Sequence, residues 1–442
     1  MRRAGSRSLG PMGQAPEVPQ PADQRRVIVL GLMVFGLALM VAGLLMQPLS
    51  ALWAGWGRIL LSPGMLLTDG KAIGGVGAAF WNAGLMMLLS LALLWRLKAE
   101  ITGTALAAVM IVTGFSFFGK NPLNALPPAL GVLAYARLMG AGLAASAVPA
   151  LFATALAPLT SSVAFSLGFE PLIGIPLALV LGLLGGFLMV PIAKRALPFH
   201  QGHNLYNSGF AAGLTAMLLV NVLRLFGLNI PSASFLHPGG GPVMALSFAL
   251  FFLLLTGLGW RLNGNSFKGY GALLKAPGRL GPESDFIKRF GLALYLINGG
   301  LSSLLSLAVV MLAGAPLNGP VLGSVLTITG FAAFGKHPRN MLPVMLGALL
   351  ATTLSVHEVQ ATHAMIAVIF STTLAPIAGS YGPLAGLTAG ILHAAIAHNS
   401  GFLHAGVNLY NNGFAGGLVA GLLTAVLEPM RQRWQSAKGQ AS

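Results

Sequence analysis

The chain has 442 residues, 55% hydrophobic and only 8% charged, where a soluble domain carries about 25% charged residues. The formal net charge is +16 and cysteine is absent, which excludes disulfides, thiol catalysis and thiolate metal sites. So few charges over so much apolar sequence exclude an ordinary soluble domain in favour of a chain that lies in a bilayer.

In chain order, residues 1–26 form a polar tail with Arg2, Arg3, Arg7, Arg25 and Arg26. The apolar stretch Val27 to Leu49 is long enough to cross a hydrocarbon core, which takes about 20 residues. It reads as a retained first span, because a secretory signal has a shorter apolar region and a small-residue cleavage site. Asn82 then opens an apolar helix that ends at Trp95-Arg-Leu-Lys98. Thr113-Gly-Phe-Ser-Phe-Phe-Gly-Lys-Asn-Pro122 leads into a region interrupted by Pro127, Pro128, Pro149 and Pro158. So many breaks predict short or re-entrant helices. Leu172 to Ala193 is another span, and Asn204-Leu-Tyr-Asn207 precedes a small-residue helix. The linker, residues 229–240, has no Lys or Arg.

The second half repeats the plan. Val243 to Trp260 is apolar, and a basic loop follows with Arg261, Lys268, Lys275, Arg279, Lys288 and Arg289. Phe290 to Ala313 carries Asn298, Gly335-Lys-His-Pro338 follows, and Asn408-Leu-Tyr-Asn411 opens the last helix. Residues 429–442 are again basic.

These correspondences are a duplication. Residues 82–92 match 298–308 at 8 of 11 positions, and residues 113–127 match 329–343 at 10 of 15, both at an offset of 216. Ala157-Pro158 pairs with Ala375-Pro376, and residues 204–214 match 408–418 at 9 of 11. Four blocks in one order define repeat 1, residues 27–228, and repeat 2, residues 241–428.

Loop charge predicts how the copies lie. The positive-inside bias puts both basic tails in the cytoplasm and the uncharged linker outside. Each repeat then crosses an odd number of times, so the second is upside down. Equivalent loops agree: Trp95-Arg-Leu-Lys98 is basic, whereas residues 313–320 carry no charge. The predicted fold class is therefore an all-α polytopic inner-membrane protein of two inverted-topology repeats, with about ten to fourteen transmembrane segments including broken or re-entrant helices.

The candidate site residues follow from the shared motifs. Lys120 and Lys336 stand beside helix-starting prolines, where free backbone amides and a cation suit an anion or a carbonyl oxygen; the plain alternative is snorkelling to an interface. Asn121 and His337 occupy the next position. Asn207 and Asn411 either cap their helices or contact a solute, and Asn82 and Asn298 serve as interhelical glue or line a pore. His393, His398 and His404 do not share a helical face, so no metal site is expected. All nine carboxylates fall in tails, loops or helix ends, which argues against a carboxylate-coupled proton or sodium transporter. The basic residues lack the aromatic interleaving of a nucleic-acid surface.

The tandem motifs resemble an uncharacterised bacterial membrane family, a domain of unknown function present twice per chain, and that likeness implies no activity. Asn121-Pro122 and Leu205-Tyr206-Asn207 are also distantly similar to motifs of urea transporters, which pair two inverted repeats. His337-Pro338, the Tyr-to-Asn spacing and the lysines depart from that pattern, so the likeness implies an architecture and not urea as the substrate.

The expected function is a transporter or channel for a small neutral or anionic polar solute, bound between the repeats by Lys120, Asn121, Lys336, His337, Asn207, Asn411, Asn82 and Asn298. The expected partners are that solute and the lipid bilayer, with a homo-oligomer left open. No nucleic acid, catalytic residue or cofactor is expected. The rival readings are a membrane-embedded lipid-modifying enzyme, for which no nucleophile, metal and base are visible together, and a non-transporting scaffold.

Overall fold

The computed structural model describes residues 22–232 and 234–440; Arg2, Arg3 and Arg7 of the N-terminal tail lie outside them. All regular structure among the described residues is helical, as a chain in lipid requires, because a helix satisfies its backbone groups internally. Repeat 1 holds α1 (Ala22–Met46), α2 (Leu49–Leu60), α3 (Gly70–Gly74), α4 (Val76–Arg96), α5 (Gly103–Phe115), α6 (Pro122–Leu138), α7 (Leu143–Ala153), α8 (Ala157–Phe165), α9 (Pro171–His200) and α10 (Asn207–Leu225). Repeat 2 holds α11 (Pro242–Leu262), α12 (Tyr270–Leu273), α13 (Phe286–Leu312), α14 (Gly319–Phe331), α15 (Pro338–Thr353), α16 (Thr362–Phe370), α17 (Ala375–Tyr381), α18 (Pro383–Ser400) and α19 (Asn411–Gln440).

Nine helical segments among the described residues are long and apolar enough to cross a membrane, five in repeat 1 and four in repeat 2. The chain is a multi-pass membrane protein. The sequence count of ten to fourteen also included shorter members. Helices α5 and α14 have only 13 residues each, and α18 carries His393, His398 and Asn399 within its 18. Pro122, Pro158 and Pro338 each occupy the first turn of a helix as expected, where the missing N–H costs nothing, whereas Pro127, Pro128 and Pro149, read as breaks, lie inside α6 and α7. Between α7 and α8 the chain tightens into a 3-10 turn at Thr154–Leu156, matched by Ser371–Leu374 between α16 and α17.

The core is built on α5 and α14, whose residues are almost all buried. A Cβ on Gly114 would sit 2.3 Å from the Gly323 carbonyl oxygen, and one on Gly323 2.0 Å from that of Gly114. At the other end, a Cβ on Gly330 would meet Met110 and Ala107. The start of each helix therefore lies against the end of the other, so the two run antiparallel. Gly114 and Gly330 are equivalent residues, and so are Ala107 and Gly323, which makes the contact reciprocal. Only a residue without a side chain lets two backbones approach this closely. Large apolar side chains on the outermost helices are exposed, among them Val34 on α1, Leu172 on α9 and Leu254 on α11, as lipid-facing surfaces require.

Candidate functional site

Each core helix ends in a tight loop, residues 116–121 after α5 and 332–337 after α14. Gly119 (φ 83°) and Gly335 (φ 86°) take the left-handed region, where a β-carbon would clash. The Lys120 and Lys336 amides bond back to the Phe115 and Phe331 carbonyls, both at 3.2 Å. Carbonyls in a buried loop need donors from elsewhere. Asn82 Nδ2 donates to Ser116 O (2.7 Å) and Lys120 O (2.8 Å), and Asn298 Nδ2 to Ala332 O (2.8 Å) and Lys336 O (2.7 Å).

The loops turn their lysines into the protein, where Lys120 is 1% and Lys336 0% exposed. Lys120 Nζ donates to Thr154 Oγ1 at 2.8 Å and to the Tyr410 hydroxyl of repeat 2. Lys336 Nζ donates to Thr372 Oγ1 at 2.7 Å and to the Tyr206 hydroxyl of repeat 1 at 2.5 Å. Each repeat thus supplies the tyrosine that holds the other's lysine. Aromatic faces complete both surroundings: Lys120 Nζ lies 4.4 Å from the Tyr410 ring centre and 5.4 Å from that of Phe115, and Lys336 Nζ 4.4 Å from Tyr206 and 5.1 Å from Phe331. Phe370 stacks on Phe115 at 5.5 Å and meets Tyr206 edge-on at 5.8 Å, joining the two clusters.

Taking an ammonium out of water costs several kcal/mol unless it is paired. The ion pairs found among the described residues, Lys288 with Glu100 and Arg289 with Glu283, leave both buried lysines without a carboxylate. An ammonium has three N–H donors, and each lysine meets two hydroxyl oxygens. A cavity of about 110 Å³ lies between the repeats, lined by Tyr206, Tyr410, Asn207, Phe152, Phe331 and other side chains.

The other predicted site residues are committed within the chain. Asn121 Oδ1 accepts from the Leu123 and Asn124 amides, both at 3.0 Å, while its Nδ2 donates to Ile59 O at 3.0 Å. His337 does the same work for α15: Nδ1 accepts from the Asn340 amide at 3.2 Å and Nε2 donates to Ala276 O at 2.9 Å. Asn207 and Asn411 bond His200 Nε2 (2.9 Å) and His404 Nε2 (2.8 Å) and donate to Ala193 O and Ala397 O. Asn82 and Asn298 also accept from Trp56 Nε1 and the Tyr270 hydroxyl. Of the eight, the two lysines are the ones brought to the aromatic cluster between the repeats, and Asn207 reaches the cavity wall.

Four further residues that the structure joins across the repeats escaped the sequence reading. Tyr206 and Tyr410 lie inside the quoted Asn-Leu-Tyr-Asn motifs, and their shared position was the available signal. Asp69 and Asp285, also 216 apart, are buried at the start of the other repeat's core helix. Asp69 Oδ2 accepts from the Gly319 amide at 2.9 Å, and Asp285 Oδ2 from the Gly103 amide at 3.0 Å. An acidic side chain at a helix N-terminus satisfies free amides and opposes the helix dipole. Beside Asp69, burial lowers the Lys71 ammonium to about 8, against the pull of the Asp69 carboxylate.

No curated protein and no solved structure matches this chain. A family model described as protein of unknown function (DUF1576) matches residues 32–225 and again residues 262–429. Those two segments contain every pair above, from Asp69 and Asp285 to Tyr206 and Tyr410, and the chain belongs to the DUF1576 family.

Proposed function

We propose that this protein is a transporter or channel that moves a small neutral or anionic polar solute across the inner membrane, with its site where the two lysine–tyrosine pairs cross between the repeats. The observation that carries this reading is a pair of buried lysines with no carboxylate partner, held by the two tyrosines that line a cavity of about 110 Å³. A site for one water needs about 10–15 Å³, so this space suits a solute of a few heavy atoms. Aromatic side chains form much of its wall, and the Tyr206 and Tyr410 phenols, each bonded to a lysine, are the polar groups that would meet an oxygen-bearing solute. An anion would replace the missing counter-charge.

We also read the repeats as inverted, with both termini cytoplasmic. The opposite charge bias of equivalent loops supports this, as does the antiparallel contact of α5 with its equivalent α14. In such an arrangement a two-fold relation between the copies would exchange inward-open and outward-open forms around one site.

The test is uptake of a panel of small solutes into proteoliposomes holding wild type, Lys120→Met or Lys336→Met. The expected result is a fall in flux of at least about ten-fold, equivalent to about 1.4 kcal/mol, in variants that still elute as folded protein. Unchanged rates and anion preference in both variants would overturn the assignment.

A further inference from the structure

A second constellation lies away from the lysines, in repeat 2. His357 sits in the connection between α15 and α16, His363 in the first turn of α16, and His398 in the last turn of α18. His357 and His363 are six residues apart and His398 lies 35 further on, and their ring centres are 5.4, 4.4 and 5.3 Å apart. One nitrogen from each lies within 4.8 Å of the others. The sequence had grouped His398 with His393 and His404 instead. Those two are engaged elsewhere, with Asn412 O and Asn411 Oδ1.

We propose that His357, His363 and His398 form a binding site for a borderline divalent transition-metal ion of the zinc class. Three imidazoles without a carboxylate or thiolate are the donor set that zinc, copper and nickel accept and that magnesium and calcium do not. Zinc–nitrogen bonds of about 2.0–2.1 Å in a tetrahedron place the nitrogens about 3.4 Å apart. The nitrogens, now within 4.8 Å of one another, would have to draw in to that spacing, and the His357 and His363 side chains that would move are exposed.

The strongest support is His398. Its Nδ1 lies 2.6 Å from the Ala394 carbonyl oxygen. A carbonyl only accepts, so the proton is on Nδ1, and Nε2 carries the lone pair. That Nε2 is buried and has no hydrogen-bond partner. A backbone carbonyl fixing one imidazole nitrogen while the other faces a metal is the usual outer-shell arrangement at histidine sites. A bare buried acceptor is otherwise a cost. On the loop, the His357 amide donates to Ser355 Oγ at 3.1 Å and Ser355 Oγ to Thr352 O at 2.8 Å, which restrains the backbone that carries the first ligand. A cavity of about 210 Å³ borders His357 and His398, room for water or a solute in the fourth coordination position.

The site belongs to one repeat alone. At the offset of 204 that relates the Asn-Leu-Tyr-Asn motifs, His398 corresponds to Lys194, and at the 218 of the Ala-Pro pairs, His363 corresponds to Ala145. Repeat 1 therefore lacks the donors. A bound ion would tie α16 and its preceding loop to α18 on one end of the molecule.

The test is calorimetric titration of Zn²⁺ into the full chain in detergent after removal of any histidine tag, with bound metal counted by mass spectrometry. Wild type is compared with His357→Ala, His363→Ala, His398→Ala and the control His203→Ala, each first checked by size-exclusion profile. The expected result is one zinc per chain, weakened at least ten-fold by each of the three ligand changes, retained in the control and not displaced by excess Mg²⁺. Less than half an equivalent of zinc in wild type would overturn the proposal. So would unchanged affinity in folded His398→Ala.

Discussion

The Lys336 ammonium donates to the Tyr206 hydroxyl at 2.5 Å across 130 residues of sequence, and Lys120 makes the same bond to Tyr410 across 290. A hydrogen bond to a charged group contributes about 1.5–3 kcal/mol. Tyr206→Phe removes the hydroxyl and keeps the ring. A double-mutant cycle of Tyr206→Phe with Lys336→Met, read by thermal or denaturant unfolding in detergent, is expected to give a coupling energy of about 1–3 kcal/mol. A coupling near zero would mean that the two groups meet without holding each other.

The aspartate caps make a second prediction. Asp69→Ala and Asp285→Ala each strand buried amides at the start of a core helix, which costs about 1–3 kcal/mol. Both variants are expected to lower the unfolding temperature by similar amounts, since the contacts are equivalent. Asn, which keeps one acceptor oxygen, is expected to lose less. Equal loss in Asn and Ala would show that the cap needs the full carboxylate, both of whose oxygens accept backbone amides.

The close approach of α5 and α14 gives a third. Gly114→Ala and Gly323→Ala place a methyl group against backbone that cannot yield, and overpacking of this kind costs about 1–3 kcal/mol. Gly57→Ala on α2, whose added methyl meets nothing within 4 Å, is expected to be neutral or to stabilise by up to about 1 kcal/mol. Melting temperatures of the three variants check the contrast directly.

The fourth concerns topology. Without native cysteine, single cysteines at Lys98 and Leu312, both exposed, report side by labelling with a membrane-impermeant maleimide. Lys98→Cys is expected to react only after permeabilisation and Leu312→Cys in intact cells. Labelling of both from one side would remove the inverted arrangement. Asn318 lies in the same loop but is buried and bonded to Thr362, so a cysteine there would disturb the fold.

Much of this architecture was legible in the sequence because a duplication prints its own alignment. The Gly-Lys-x-Pro loops, the proline-started helices and the asparagine pairs were all found by self-comparison. What each asparagine does was not legible, since capping, gluing and solute contact ask for the same side chain. The structure separates them by showing where each donor goes: Asn82 to two loop carbonyls, Asn121 to its own helix start. Partner identity across the repeats was also hidden. Nothing in the sequence near Lys120 points to Tyr410, and nothing near Asp285 to Gly103. Such contacts are set by how the two halves dock. The histidines repeat the lesson, because His357, His363 and His398 converge from a loop and two helices with no common period.

The exchange of tyrosines and aspartates between halves bears on how the chain is made. Synthesis proceeds at about 5–20 residues per second, so Lys120 enters the membrane roughly 15–60 s before Tyr410 exists. During that interval repeat 1 holds an unmatched ammonium, and the Gly103 amide has no Asp285. The half-made protein therefore carries groups whose partners only its own second half supplies. One half alone would face the same deficit, and a second copy docked in the same way would supply the missing tyrosine and aspartate.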